Sequence, residues 1–201
     1  MQIIVLATGN KHKLKEFKEM LQDYNIVSMY EVGFSGDIEE NGKDFFENSL
    51  IKAMAIRRYL DEIGLDYWVM ADDSGLCCNA LRGKPGLYSA RYAGDDANDE
   101  ANRQKLLKDL SNADNRSAYF ECVIACVRPD GSYLYGEGKT HGDVLFKYSG
   151  DTSFGYDCIF FSDDLKKSFG EASSDEKNSV SHRRRALQDL LKNITKSDWR
   201  K

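Results

Sequence analysis

The sequence predicts an α/β fold with a mixed β-sheet flanked by helices. Short apolar runs, typical of buried strands, alternate with segments of helical periodicity, and one clear hairpin adds an antiparallel pair. The 201 residues are 41% hydrophobic and 30% charged, which suffices for one globular domain with a sizeable core. Since we find no repeat and no low-complexity linker, we assign residues 1–201 to a single domain.

Strands and helices alternate through the first third of the chain. Residues 3–7 are apolar and end at a turn-forming Thr-Gly-Asn, so we predict a buried strand there. The next apolar residues share one helical face through about residue 23, and 25–32 predict a second strand. A second helix is expected from about Lys43 to Ile63, ended by Gly64 and capped by an upstream polar residue. The capping candidates are Asn41 and Asp44, and the residues expected to point inward are Phe46, Leu50, Ala53 and Met54.

The middle of the chain predicts a strand, a long loop and a third helix. Residues 67–71 are apolar and aromatic and lead directly into Asp72 and Asp73. Residues 81–96 contain three glycines, a proline and several polar residues, which predicts a loop. The third helix is expected from about Ala97 to Leu110.

A hairpin and a final helix are predicted in the remaining part. Segments 117–128 and 132–144 are strand-like and flank Pro129-Asp130-Gly131, a turn signal. Residues 158–161 predict another short strand. Residues 184–194 predict the last helix, because their leucines fall on one face.

Composition excludes several classes of function. A net charge of −5 argues against a general DNA or RNA binder. No apolar run approaches the roughly 20 residues that span a bilayer, and the charges of the N-terminal segment follow its apolar run, unlike a secretory signal. The five cysteines are odd in number and form no C-x-x-C, so we expect core thiols in a reducing compartment. We therefore expect a cytoplasmic protein.

The adjacent carboxylates Asp72 and Asp73 require compensation. They repel each other, and each is costly to desolvate beside a core strand. Glu39 and Glu40 precede the second helix, where acids are ordinary helix-start electrostatics. If one of them faces the aspartates, three converging carboxylates favour a divalent cation, and oxygen ligands without histidine favour Mg²⁺.

The segment TGNKHK (8–13) predicts an anion site. It joins the first strand to the first helix, where free backbone N–H groups can bind phosphate. The first acidic residue of that helix is Glu16, and a run of basic residues opposes the helix dipole unless an anion balances it. The basic residues are Lys11, His12, Lys13 and Lys15. The alternative interpretation is a solvated, lysine-rich helix face.

Two later segments carry further ligand candidates. Phe154 in FGYD (154–157) lies beside a glycine, which suits stacking on a planar ligand, although a core phenylalanine is the alternative. Lys177, His182 and Arg183 are candidates because we expect them in the loop before the last helix.

The Gly-Lys-Thr at 138–140 does not predict a phosphate loop. The phosphate-loop pattern requires glycine where Tyr133 stands. The segment also lies in a predicted hairpin strand, whereas a phosphate loop joins a strand to a helix.

Together these segments resemble the inosine/xanthosine triphosphate pyrophosphatases, a family that hydrolyses deaminated purine nucleoside triphosphates. Six motifs in the family's order carry the resemblance: TGNKHK (8–13), EENG (39–42), ADDSGL (71–76), GKPGLYSARYAG (83–94), FGYD (154–157) and SHR (181–183). The resemblance implies an elongated α/β fold of two lobes with an active-site cleft between them, a Mg²⁺ requirement and a homodimer. It also implies hydrolysis of ITP, dITP and XTP to the monophosphate and pyrophosphate.

The resemblance assigns roles only to residues that match the family's motifs. Glu40 and Asp73 would hold the metal, and Asp73 would also be the general base. Phe154 would stack on the purine, while His182 and Arg183 would read its 6-oxo edge. The residues implied in phosphate binding are Thr8, Gly9, Asn10, Lys11, His12 and Lys13. The other residues implied in substrate binding are Ser74, Gly155, Tyr156, Asp157 and Lys177.

Two alternatives and one departure complete the prediction. A related pyrophosphatase for pyrimidine or modified nucleotides would share the phosphate and metal groups, whereas a non-catalytic nucleotide sensor would not need paired aspartates at a metal. The departure is Cys158, which follows FGYD where the family usually has proline, so the loop lacks a stiffening ring. Segment 83–94, with two tyrosines and an arginine, is the predicted dimer contact.

Overall fold

A computed structural model describes residues 2–95 and 98–194 of the chain. Within this part, seven strands form one mixed sheet of order β2-β1-β3-β4-β5-β6-β7, with helices on its flanks, which confirms the predicted fold class. The strands are β1 (Ile3–Leu6), β2 (Asn25–Ser28), β3 (Trp68–Cys78), β4 (Ser117–Val127), β5 (Tyr133–Val144), β6 (Phe160–Ser162) and β7 (Lys167–Ser168). The helices are α1 (Lys11–Met20), α2 (Phe45–Glu62), α3 (Asp99–Asp109), α4 (Ser174–Val180) and α5 (His182–Lys192).

The sheet is parallel at one end and antiparallel at the other. β1 pairs in parallel with both β2 and β3, and parallel neighbours need crossover connections, which α1 and α2 provide. β5 and β6 pair antiparallel, as do β6 and β7. The predicted hairpin turn is confirmed, since Arg128 N donates to Ser132 O at 2.8 Å and Gly131 adopts a φ of 80°.

The chain divides into two compact units. The first comprises residues 1–73, 123–138 and 183–201, and the second 74–122 and 139–182, in so far as the structure describes them. Each unit has its own apolar core. The core of the first includes Val5, Ala53, Ile56, Leu60, Val69 and Ala125. The core of the second includes Leu76, Leu106, Phe120, Cys158, Phe160 and Phe169. The assignment of 1–201 to one domain stays a prediction.

Several predicted boundaries are corrected. β3 does not end at residue 71 but continues to Cys78, so the two aspartates lie inside a strand. β2 ends at Ser28, because a turn with Glu31 N donating to Ser28 O follows it. α1 ends at Met20 rather than near residue 23. The predicted start of the third helix at residue 97, and residue 96 of the preceding loop, lie outside the described residues.

The second helix has Asp44 as its N-cap, one of the two predicted candidates, but the face that it buries differs from the predicted one. Asp44 accepts from the Glu47 amide at 2.8 Å and is the N-cap. Ala53 is buried as expected, whereas the other three residues expected inside are only half-buried. The buried face also includes Asn48 and Lys52, two polar residues that a hydrophobic pattern cannot place.

The region before the last helix is itself helical. The loop predicted around Lys177 is wrong, because α4 begins there with Ser173 as N-cap and Glu176 completing a capping box. His182 is the first residue of α5. No helix among the described residues has the length and apolar character needed to cross a bilayer.

Two glycines of the segment 136–142 allow neighbouring backbone to approach closely. Gly136 lies in β5 against α5, and a Cβ there would approach Leu190 N to 2.3 Å and Ala186 O to 2.4 Å. A Cβ on Gly142 would approach Phe161 O to 1.9 Å. These contacts explain Gly136 and Gly142, and the segment lies in β5, as predicted, rather than between a strand and a helix.

We predict that Gly136→Ala destabilises the protein by about 1–3 kcal/mol or more, because backbone must move to admit the methyl group. The free energy of unfolding in urea measures this. Glu137→Ala is the matched control, since Glu137 is exposed on the same strand and only its backbone N–H contacts Asp189. The control should change stability by no more than about 0.5 kcal/mol. Equal stability of the two variants would contradict the packing role of Gly136.

Candidate active site

Asp72 lies in a network of buried charges in the first unit. Its Oδ2 accepts hydrogen bonds from Arg183 Nε at 3.1 Å and Nη2 at 2.9 Å, and it lies 3.1 Å from Lys13 Nζ. Arg183 Nη1 also pairs with Glu16. Asp72 and Arg183 are each only 1% exposed. Two cations therefore compensate for the burial of the Asp72 carboxylate.

This network fixes the protonation state of Asp72. Burial alone would raise the pKa of the carboxyl, but the charges of Lys13, Arg183 and Lys52 outweigh burial and hold the pKa well below its ordinary value. Asp72 is thus an anion at neutral pH. A carboxylate held by cations in this way is poorly suited to accept a proton.

Asp73 has different surroundings. Asn48 Nδ2 donates to its Oδ2 at 3.0 Å, and its Oδ1 lies 3.7 Å from Lys52 Nζ. Burial is the largest influence on the Asp73 pKa and raises it above the ordinary value, although Lys52, Lys13 and Asn48 act to lower it. A carboxyl with a raised pKa is a stronger base once it is ionised, as a proton acceptor near neutral pH requires.

Lys52 links the two predicted metal ligands. Its ammonium donates to Glu40 Oε2 at 2.8 Å and faces Asp73 on its other side. Burial would lower the pKa of Lys52, but the carboxylates around it raise the pKa overall, so the lysine is a cation. Glu40 and Asp73 therefore approach one positive charge, and their hard oxygen atoms are of the type that Mg²⁺ prefers.

The predicted convergence of three carboxylates is wrong. Among the described residues, no group of three or more Asp, Glu, His or Cys side chains is arranged to hold a metal ion. The reason is that Asp72 faces Lys13 and Arg183. Glu40 and Asp73 remain the candidate pair, and further ligands would have to come from substrate phosphates and water.

The turn before α1 is cationic, but some of its backbone amides already donate hydrogen bonds within the turn. Asn10 Oδ1 accepts from the amides of His12 at 2.9 Å and Lys13 at 3.2 Å, and Asn10 N donates to Thr8 Oγ1 at 3.2 Å. The expectation of free amides is therefore wrong for these residues, because the N-cap side chain binds them. The first turn of α1 contains no acidic residue, as predicted, and the side chains of Lys11 and His12 are exposed.

In the second unit, α3 holds the FGYD segment. Gly155 N donates to Asp99 Oδ2 at 2.7 Å, and Gly155 O accepts from Arg103 Nη1 at 2.7 Å. Tyr156 is buried and its hydroxyl donates to Ser89 O at 2.8 Å. Cys158 is fully buried in the core of this unit. Contacts with α3 thus hold the loop at Gly155, shortly before Cys158.

Lys177 lies between an acid and an aromatic ring. Its Nζ is 2.5 Å from Asp157 Oδ2 and 4.8 Å from the centre of the Phe154 ring. His182 is buried and stacks on Phe120. In the second unit, the structure thus brings together the candidates Phe154, Asp157 and Lys177.

The structure adds residues that sequence reasoning missed. Asn48, Lys52 and Glu16 contact the candidate residues of the first unit, and Phe120 contacts His182. The signal available for the first two was their spacing, since i and i+4 share a helix face that also carries buried apolar residues. No local pattern distinguishes Glu16 from an ordinary helix acid.

An α/β sheet that carries an ionised aspartate next to an aspartate with a raised pKa, near a cationic turn, defines a candidate site for hydrolysis of phosphate anhydrides. The chain belongs to the Ham1 family, whose sequence model matches residues 4–193. This membership confirms the resemblance that the sequence motifs indicated.

Relatives match almost the whole chain. It is 50% identical over 199 residues to a dITP/XTP pyrophosphatase of Clostridium perfringens, with 96% of this chain and 98% of that protein covered. The structure of the Staphylococcus aureus Ham1 protein matches with a TM-score of 0.82 and 40% identity, covering 96% and 97% of the two chains. A HAM1 protein from Coxiella burnetii gives a TM-score of 0.81 and 39% identity, with 96% and 100% covered.

We predict that Arg183→Met destabilises the protein by about 3–5 kcal/mol, because it leaves the carboxylates of Asp72 and Glu16 buried with fewer cations. Urea unfolding measures the loss. Arg58→Met is the control, since Arg58 is exposed on α2 and its replacement should be nearly neutral. A loss below about 1 kcal/mol for Arg183→Met would contradict the structural role of this ion pair.

Proposed function

We propose that this chain hydrolyses the non-standard purine nucleoside triphosphates ITP, dITP and XTP to the monophosphate and pyrophosphate, and so removes deaminated purines from the nucleotide pool. Relatives named dITP/XTP pyrophosphatase, up to 50% identical over nearly the whole chain, support the proposal. The observation that carries it is Asp73, a half-buried carboxyl with a raised pKa that is oriented by Asn48 and faces Lys52.

The cationic turn would bind the triphosphate. Support comes from the exposed side chains of Lys11 and His12 and from the first turn of α1, which lacks acids. Lys13 would contact phosphate while keeping its partner Asp72 ionised. Thr8, Gly9 and Asn10 would shape this turn, since Asn10 caps the helix and holds two of its amides.

Glu40 and Asp73 would hold Mg²⁺. Their fit rests on the donor type, since both present hard carboxylate oxygens of the kind that Mg²⁺ prefers and both lie near Lys52. A bound Mg²⁺ supplies neutralisation of phosphate charge and lowers the pKa of a nearby water.

Asp73 would act as the general base. It would accept a proton from the water that attacks the α-phosphorus, and the bond from that phosphorus to the bridging oxygen would break to release pyrophosphate. Asn48 would keep the carboxylate oriented through the 3.0 Å hydrogen bond. Asp72, whose pKa is lowered, would stay ionised and hold Lys13 and Arg183 in place.

The second unit would bind the base. Phe154 is half-buried and would stack on the purine, with Lys177 held by Asp157 beside it. His182 would donate to the 6-oxo group. The reading of the base by Arg183 stays a prediction, and the contacts of its guanidinium with Asp72 and Glu16 support a structural role. The flanking residues proposed with this group are Ser74, Gly155 and Tyr156.

We also propose a cytoplasmic homodimer. All five cysteines are buried free thiols, which supports a reducing compartment. In the segment 83–94, Tyr88 is 59% exposed and the Arg91 guanidinium lies 5.3 Å from its ring centre, which supports a contact surface there. The mass measured by light scattering at micromolar concentration tests the dimer, and a monomeric mass counts against it.

We predict that Asp73→Asn lowers kcat for ITP by about 10²–10⁴, because it removes the general base while preserving shape. Turnover at saturating Mg²⁺, with products separated by ion exchange, is the measurement. Asp163→Asn is the control, an exposed acid in the second unit, and should retain wild-type turnover. Near-normal activity of Asp73→Asn would exclude Asp73 as the base, and release of single phosphates by the wild type would overturn the assigned bond.

We predict that the wild type prefers ITP to ATP by at least about 100-fold in kcat/KM, because donors placed for a 6-oxo group are left unpaired by a 6-amino group. Initial rates of pyrophosphate release with ITP, dITP, XTP, ATP and pyrimidine triphosphates measure this. Comparable ATP turnover contradicts purine selection by the 6-oxo edge. Preference for a pyrimidine supports the alternative pyrophosphatase, and binding without turnover supports a nucleotide sensor.

A further inference from the structure

His182 stacks on the ring of Phe120, a residue outside all the sequence motifs. The imidazole of His182 and the ring of Phe120 are 4.8 Å apart between centres, with their planes inclined by 15°. Both residues belong to the second unit and are buried, at 4% and 7% exposure. Near-parallel rings at this distance form a stacked pair.

Phe120 is itself held from other sides. Its ring meets Phe160 edge to face at 4.7 Å and lies parallel to Phe169 at 6.1 Å. Phe160 and Phe169 also contact each other at 5.1 Å between ring centres. Because close-packed rings cannot turn without displacing their neighbours, the plane of Phe120 is fixed by the core.

The same cluster also reaches Lys177, another residue proposed to bind the base. Lys177 Nζ lies 5.8 Å from the centre of the Phe169 ring and 4.8 Å from that of Phe154. Phe120 and Phe169 thus connect His182 to Lys177 through buried aromatic contacts.

We propose that Phe120 is a positioning residue for base recognition, whose ring fixes the plane in which His182 presents its N–H to the 6-oxo group. The inference rests on the proposed function. The torsion that turns an imidazole about its Cβ–Cγ bond is broad, so a donor on this ring needs an external constraint to keep its direction. A stack on Phe120 supplies that constraint, because it holds the imidazole by its face and so fixes the plane of the ring.

The test compares Phe120→Leu with Leu110→Ala, a control in the same core cluster. Loss of a stacked pair should raise KM for ITP by about threefold to tenfold. We expect kcat to change by less than about twofold, because the contact orients the bound base and does not touch the reacting phosphorus. Leu110→Ala should lose stability without raising KM. An unchanged KM in folded Phe120→Leu, or an equal rise in the control, would overturn the inference.

A double-mutant cycle shows whether Phe120 acts through His182. His182→Ala should raise KM by itself, and adding Phe120→Leu should then have no further effect on KM. A further rise of the same factor in the double variant would mean that Phe120 supports the fold generally, and would overturn the inference. If the wild type turns over none of ITP, dITP and XTP, the proposed function fails and this inference fails with it.

A measurement on the wild type covers the case in which Phe120→Leu does not fold. The chain has three histidines, so the ring protons of His182 can be assigned by comparison with His182→Ala. Stacking predicts an upfield ring-current shift of these protons that persists when a non-hydrolysable imido analogue of ITP is added. Absence of the shift, or its loss when the analogue binds, would overturn the inference.

Discussion

The buried ion pair between Asp72 and Arg183 is the interaction on which the candidate chemistry depends. It joins residues 111 positions apart in the sequence, and Glu16 joins the same guanidinium from 167 positions away. The pair thereby connects β3, α5 and α1 within the first unit. Breaking such a pair leaves an uncompensated buried charge, which is far more costly than losing a surface ion pair. The last helix is therefore coupled to the strand that carries both aspartates.

This coupling lets two adjacent, chemically identical residues have different properties. Successive side chains of a strand point to opposite faces, so Asp72 and Asp73 inside β3 meet different neighbours. Lys13 and Arg183 lower the pKa of Asp72, whereas burial raises the pKa of Asp73. Environments that separate two pKa values can also separate two roles. In the proposed mechanism, Asp72 serves structure and charge, and Asp73 accepts the proton.

In the second unit, packing holds the candidate side chains in place, whereas in the first unit ion pairs do so. Its residues proposed to bind the base are held by an aromatic cluster and by the hydrogen bonds that α3 makes to the loop around Gly155. A base is planar and largely apolar, so rigid rings and a few donors suit it, whereas a triphosphate requires cations. The cations of the first unit therefore suit the proposed triphosphate, and the aromatic residues of the second suit the proposed base.

The sequence by itself determined the fold class, the order of most elements, the hairpin and the family, because these depend on local periodicity, turn residues and motif order. It left the cap of the second helix open between Asn41 and Asp44. Sequence reasoning misplaced the end of β3, because a hydrophobic pattern does not predict a strand that continues through two aspartates. It missed α4 because that helix is short and polar. Only the tertiary structure decided that Arg183 binds Asp72, that Lys52 lies between Glu40 and Asp73, and that His182 stacks on Phe120. These contacts join residues far apart in the chain. The protonation states and orientations of these side chains depend on such contacts, and no local sequence pattern predicts them.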